Sequence, residues 1–305
     1  MPSGTAFNRS NYAGITPEVS QEILQKTQEE SAIMRLARRV TLPGSGLTIP
    51  MITGDPTAAW VAETGMKPVS DPETSTKLMS AYKIAVIETF SDEFVRDGKA
   101  MYDALIARIP GALAKCFDNT VLGATEKPGD NFDNFALCTT QSLIPTSDHS
   151  TYDGLVAADT AIALAGGVLN GFALSAQARG ILLSAVDSTG RPLFVNSVAE
   201  GTIPRILGVP TYFNKGVYKA GTAGTSGTPA VVGIAGDWTQ AMYGTVAGVK
   251  IDVNNTGVVT RGTGTSATTV NLWQQNMIAV RAEIEVGFRA DTTMFNLLTG
   301  AIPTT

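Results

Sequence analysis

Between Lys77 and Thr89 apolar and polar positions alternate. Leu78, Ser80, Tyr82, Ile84, Val86 and, just beyond, Phe90 fall on one side, and Lys77, Met79, Ala81, Lys83, Ala85 and Ile87 on the other. A period of two predicts a β-strand. At about 3.3 Å per residue it would reach on the order of 40 Å, well beyond the common strand of about 5–6 residues. The stretch from Thr57 to Ala62 around Trp60 can pair back as a second limb, with Gly65, Lys67, Pro68, Asp71 and Pro72 forming the tip. Two strands alone bury too little apolar surface to be stable in water. The arm is therefore expected to lie on something else. A neighbouring copy of the chain is the economical candidate, and a hairpin folded down on its own domain is the alternative.

Helical spacing flanks the arm. Residues 1–14 are polar and glycine-containing and read as a mobile or partner-ordered arm, after which Thr16-Pro17-Glu18 offers a hydroxyl cap, a proline at the first position and an acid in the first turn. Val19, Ile23, Ile33, Met34, Leu36, Ala37 and Val40 extend this helix along a broken apolar face to the breaker Leu42-Pro43-Gly44. Ser91, followed by Asp92 and Glu93, opens a second helix. Its apolar face runs through Met101, Leu105, Ile106, Ile109, Leu113, Phe117, Val121 and Leu122, with Pro110-Gly111 expected to kink or divide it.

The middle of the chain mixes periods. Glu126 to Ser150 reads as a loop, Tyr152 to Leu164 as a helix, Phe172 to Ser175 as a buried strand and Ala176 to Val186 as a helix. A turn is expected at Asp187 to Pro192, a turn into a strand at Ile206 to Tyr212, and a strand at Ala230 to Gly236 behind the flexible stretch GVYKAGTAGTSGTPA. Alternating helix and strand predicts a compact α/β unit. From Val249 the pattern turns β: VKIDV, a Gly/Thr-rich hairpin tip through Gly264, then Met277 to Phe288. There Ile278, Val280, Ala282, Ile284, Val286 and Phe288 alternate with Ala279, Arg281, Glu283, Glu285 and Gly287 as a half-buried strand.

Composition narrows the function. The chain has 305 residues, 44% of them apolar, enough for one large domain or two ordinary ones. Only 16% are charged, a surface suited to being covered by partners. A net charge of −5 argues against bulk binding of polyanions, and the basic cluster Arg35, Arg38 and Arg39 is small. Cys116 and Cys138 form no metal-ligand spacing, and with the single histidine His149 they read as buried thiols of a reducing compartment. The N-terminus has no signal-peptide pattern and no stretch is apolar enough to span a membrane, so the chain reads as cytosolic.

Catalytic motifs are missing. There is no phosphate-binding GxxxxGK[ST], no strand-coupled GxGxxG, no HExxH and no GxSxG elbow. The paired acids Asp92/Glu93 fit a helix N-terminus, and Glu283/Glu285 share the polar face of one strand. A conventional enzyme is not expected, and no cofactor or metal is indicated.

The order of elements, and the segments AAWVAETGMKPVSDPETSTKLMSAYKIAVIETFSDEFVRD, NGFALSAQARGILLSAVDSTGRPLF, ILGVPTYFN, GIAGDW and NLWQQNMIAVRAEIEVGFRADTTMF, resemble the major capsid protein family of tailed bacteriophages over about residues 45–298. The resemblance implies an α+β fold whose subunits assemble into hexamers and pentamers of an icosahedral shell around double-stranded DNA. It divides the chain into an N-terminal arm with helix (1–48), an extended β-hairpin loop (49–90), the spine helix of a peripheral domain (91–131), an axial domain (132–245) and the strands of the peripheral domain (246–305). It also implies a virion protein assembled in the host cytoplasm, with separate scaffold, portal and decoration proteins as partners. About fifty residues precede the loop, which leaves no room for a large cleaved scaffolding segment.

Some members of that family join their subunits by an isopeptide bond. Matched segment by segment, the lysine falls on Lys67, the asparagine on Asn276 and the assisting glutamate on Glu283. Attack on the Asn276 side chain requires a neutral Lys67 amine, hence desolvation and a carboxylate to take its proton. The alternatives are an encapsulin-like compartment shell on the same architecture and, from another class, an α/β enzyme with an oligomerisation arm.

Overall fold

The computed structural model describes residues 26–27, 30–52, 58–67, 69, 74–97, 106–144, 151–185, 205–222, 228–262 and 267–300. Thr16 to Glu18, Pro68, Asp71, Pro72, Met101, Leu105, His149 and the expected turn at Asp187 to Pro192 lie outside these residues.

In chain order the elements are α1 (Ala32–Leu36), β1 (Arg38–Thr41), β2 (Leu47–Ile52), β3 (Thr74–Met79), β4 (Tyr82–Ser91), α2 (Asp92–Asp97), α3 (Ile109–Leu122) and β5 (Thr139–Ser142). There follow α4 (Thr151–Leu164), β6 (Gly171–Leu174), α5 (Ala176–Leu183), β7 (Arg205–Ile206), β8 (Val209–Phe213), β9 (Val231–Gly236), β10 (Ala241–Thr245) and β11 (Lys250–Asn254). The chain continues through β12 (Val258–Arg261), β13 (Thr268–Asn271), β14 (Met277–Ala290) and β15 (Phe295–Thr299).

These strands form two main sheets and two small hairpins. The first sheet is organised on β14, which pairs antiparallel with β4 along one edge and with β10 and β11 in succession along the other, while β1 adds to β10 in parallel. Ile278, Val280, Ala282, Ile284, Val286 and Phe288 are buried, as the alternation predicts. On the opposite face Ala279 is buried, Arg281 is exposed, Glu283 and Glu285 are half-buried, and the face closes from Gly287 onward, where even Arg289 is buried. The half-buried expectation fails there because the root of the β2–β3 hairpin covers Gly287: a Cβ at that glycine would lie 2.6 Å from the Ser80 carbonyl oxygen and 2.8 Å from Met79.

α3 packs across this sheet. Ile109 and Leu113 meet Ile84, Val86, Ala282 and Ile284. Pro110 occupies the first turn of the helix, where its missing N–H breaks no internal bond, so of the expected kink or division it is a division: α3 starts here, after a turn at residues 107–108. Gly123 ends the helix in the left-handed region at φ 80°. Ser91 caps α2, accepting the Phe94 N–H at 3.2 Å, with Asp92 and Glu93 in the first turn.

The second sheet runs β5-β15-β9-β6-β8-β7, with Leu155, Ala158 and Ile162 of α4 and Ala178, Ile181 and Leu182 of α5 in its core. β5 lies within Glu126 to Ser150, a stretch expected to be loop. Its TTQS sequence carries no apolar alternation, and its strand character comes from parallel pairing with β15.

Two chain segments pass from one sheet directly into the other: β9 into β10 and β14 into β15. Each crosses through a one-turn 3-10 helix capped by an aspartate. Asp237 accepts from Thr239 N–H at 3.0 Å and Asp291 from Thr293 N–H at 3.1 Å. The crossings are tied reciprocally, Asp237 N–H to Met294 oxygen and Asp291 N–H to Gln240 oxygen, both at 3.1 Å. Beside them sits an aromatic core in which Phe135 stands 5.7 Å from Phe288 and 4.5 Å from Phe295. β10 therefore belongs to the sheet of β14, and β15 to the sheet of β9. The division at 245/246 cuts across both sheets.

Three further expectations are corrected. The helix expected to run to Val40 stops at Leu36, and Arg38–Thr41 is a strand because Met242 to Thr245 offer it a ladder. The strand expected from Lys77 to Thr89 is interrupted at Ser80 and Ala81. Its two halves have different partners: β4 lies on β14 in the body, and β3 pairs with β2, whereas Trp60 sits outside any strand. Cys116 is exposed, not buried.

Candidate assembly surfaces

The β2–β3 hairpin leaves the body at a fixed root. Arg289, at the inner end of β14, donates from Nε and Nη2 to the Leu78 carbonyl at 2.8 and 2.5 Å, and from Nη1 to Asp133 Oδ1 at 2.7 Å. Nη2 also reaches Asn131 Oδ1 at 3.1 Å. Lys77 joins from the hairpin side, 3.8 Å from Asp133 and 3.4 Å from the Ala290 oxygen. The guanidinium fork thus ties β3, β14 and the chain after α3 together. Apolar contact completes the root. Met79 is fully buried, and Gly244 leaves room for it, since a Cβ there would stand 2.9 Å from the Met79 sulfur.

Beyond the root the hairpin loop exposes large apolar side chains. Trp60, Met66 and Val69 are 105%, 97% and 88% exposed, with Val61 partly so. Three large apolar side chains exposed on one loop make it a candidate surface for contact with another chain. The second sheet's helices add Tyr152, Val156 and Leu164 on α4 and Leu183 on α5.

The chain's entry is held by a buried acid. Asp118 of α3 accepts from Ser31 Oγ at 2.5 Å and from Ala32 N–H at 3.1 Å, while Ser31 Oγ accepts the Met34 N–H at 3.0 Å as the cap of α1. Burial pushes the Asp118 carboxyl up to about 6, although hydrogen bonds from Ser31, Asn214 and the backbone of Ala32 and Ile33 pull against it.

The residues matched to the cross-link lie apart. Lys67 is exposed in the loop between β2 and β3, and Asn276 is exposed in the turn before β14 at φ 48°, a left-handed position that asparagine tolerates. Asn276 offers its carbonyl to Asp92 N–H at 2.9 Å. Glu283 faces Lys250 of β11 at 3.9 Å across the sheet and Arg281 of its own strand at 3.8 Å, beside a Lys83–Glu285 pair at 3.2 Å. Seven residues of extended chain, about 23 Å, separate Asn276 from Glu283, so these two do not meet within one subunit. No hydrogen bond or ion pair links Lys67 to either. Of the second cysteine, Cys138, the Sγ donates to the Thr292 oxygen at 3.2 Å, and burial with the nearby Asp291 pushes its thiol up to about 12.

Sequence reasoning missed the root residues Arg289, Asp133 and Asn131 and the Ser31–Asp118 cap. The signal for the root was Gly287 on the polar face of an otherwise regular strand. Such a glycine marks a close approach of other backbone.

The phage capsid family model matches residues 13–291, most of the chain. The chain belongs to the phage capsid family. A probable major capsid protein, gp17, of Mycobacterium phage L5 is 32% identical over 292 residues, covering 91% of this chain and 86% of that protein. The major capsid protein of Staphylococcus phage 80alpha is 23% identical, covering 98% of this chain and 89% of that one. Among solved structures, a chain from Mycobacterium phage Ogopogo superposes with a TM-score of 0.71 at 18% identity, covering 89% of this chain and 92% of its own length. The α+β fold of this chain, with its two main sheets, is thus shared at the level of overall superposition with that phage structure.

Proposed function

We propose that this chain is the major capsid protein of a tailed phage, with hexamers and pentamers of it closing an icosahedral shell around double-stranded DNA. The carrying observation is the apolar loop with Trp60, Met66 and Val69, held away from the body on a hairpin whose root is fixed by Arg289. A closed shell needs each subunit to present a surface that fits a different surface on its neighbour. In this reading the β14 sheet with α3 is the peripheral domain, and the β9 sheet with α4 and α5 the axial domain. The protein resides in the virion, is assembled in the host cytoplasm, and works with separate scaffold, portal and decoration proteins. Sedimentation velocity of the purified chain tests it: large particles that dissociate into folded subunits support the reading, and a small closed oligomer at every concentration opposes it.

Cross-linking is a finer proposal on the same architecture. The separation of Asn276 and Glu283 requires that the Lys67 amine, the Asn276 carboxamide and the Glu283 carboxylate come from more than one copy. Formation of the Lys67 Nζ–Asn276 Cγ bond would expel the Asn276 amide nitrogen as ammonia. On denaturing gels of assembled shells, a high-mass ladder that disappears in Lys67→Arg supports this chemistry, whereas monomer bands alone oppose it.

A further inference from the structure

Where the chain enters the two-sheet body, α1 and β1 leave an open groove of about 500 Å³ lined by Arg35, Leu36, Arg38, Pro210, Tyr212 and Trp238, among others. Its walls are built in place. The Arg35 guanidinium lies over the Tyr212 ring, 5.2 Å from the centroid, which positions the cation before any ligand arrives. Trp238 is fixed by Nε1 donating to the Gly171 oxygen at 3.0 Å. Glycine at 171 allows this wall to close, because a Cβ there would lie 2.6 Å from Leu36 and 3.0 Å from Trp238. Arg38 sits on β1, itself held by β10.

The charges of this groove are unmatched. Among the described residues, no carboxylate lines it. Asp237, adjacent to Trp238, is engaged by Val168 N–H, the Asn170 amide and Thr239. Among the described residues, no ion pair reaches Arg35 or Arg38. Two exposed guanidinium forks beside an aliphatic and aromatic wall suit carboxylates interleaved with apolar side chains. We propose that this groove binds an acidic peptide segment of a partner protein, with carboxylates on Arg35 and Arg38 and an apolar residue against Leu36, Tyr212 and Trp238.

Nucleic acid suits the groove less well. Phosphate-backbone binding draws on many clustered cations, and this chain carries a net charge of −5. Arg39, which follows Arg38 on β1, falls on the opposite face of the strand and adds no third charge. The inference goes beyond shell formation and does not depend on it, because the groove exists in the single subunit.

Fluorescence anisotropy on the unassembled full chain tests the proposal with a short labelled peptide of alternating glutamate and leucine. A serine–leucine peptide and a labelled DNA duplex serve as comparisons. The acidic peptide is expected to bind, to weaken with added salt, and to lose about tenfold or more in affinity in R35Q/R38Q at unchanged circular dichroism and thermal midpoint. R38Q alone, at an exposed strand position, carries the same test if the double variant misfolds. The proposal is overturned by absent binding, by equal binding of the serine–leucine peptide, by an affinity indifferent to the substitutions, or by arginine-dependent binding of the duplex in preference to the peptide.

Discussion

At the scale of single residues, two buried charged groups tie the start of α1 and the root of the β2–β3 hairpin to the body. Asp118 has a folded-state carboxyl pushed up to about 6 from an ordinary 3.8, so the folded chain binds its proton more tightly than the unfolded chain does. Stability from this group is therefore greatest below about pH 4 and falls as pH rises toward about 6, by about 3 kcal/mol in all. Asp118→Asn is expected to remove that decline, and urea midpoints at both ends of the window measure it; an undiminished slope in the variant would contradict the assignment. Arg289 is the second. Arg289→Met leaves the Leu78 carbonyl without its guanidinium donors and Asp133 with only the Ala290 N–H and Lys77, at an expected cost of about 3 kcal/mol in urea unfolding.

At the scale of elements, the chain reads differently in its two β-rich regions. β14 was legible because its apolar positions are buried along one face, Ala282 and Ile284 in the cluster under α3 and Val286 and Phe288 in the aromatic core. The division of the long alternating stretch was not, because Ser80 and Ala81 keep the alternation while the backbone passes over Gly287. The true partner of β3 was hidden as well. β2 carries Pro50 within LTIPMI, a residue admitted only because this two-stranded hairpin leaves outer edges unpaired. Within the candidate site, residue types were legible at Lys67, Asn276 and Glu283, and the strand expected over Met277 to Phe288 already separates Asn276 from Glu283 by seven extended residues. For the loop itself, Trp60→Ser with Met66→Ser should leave subunit unfolding within about 0.5 kcal/mol of the parent, because both side chains are already in water. The same variant should fail to form large particles by light scattering.

At the scale of the molecule, the sheets are joined by two adjacent strand crossings and the aromatic core beside them, so the body behaves as one unit from which the hairpin projects. A unit of this kind can form a shell if its apolar loop finds a complementary surface on the next copy. Electron microscopy of the expressed protein, taken with the Trp60→Ser, Met66→Ser variant, tests this most directly. Closed shells from the parent chain and only free subunits or single capsomers from the variant are the predicted result. Shells of equal yield from both, or no closed shells from the parent under any assembly condition with its phage partners supplied, would contradict it.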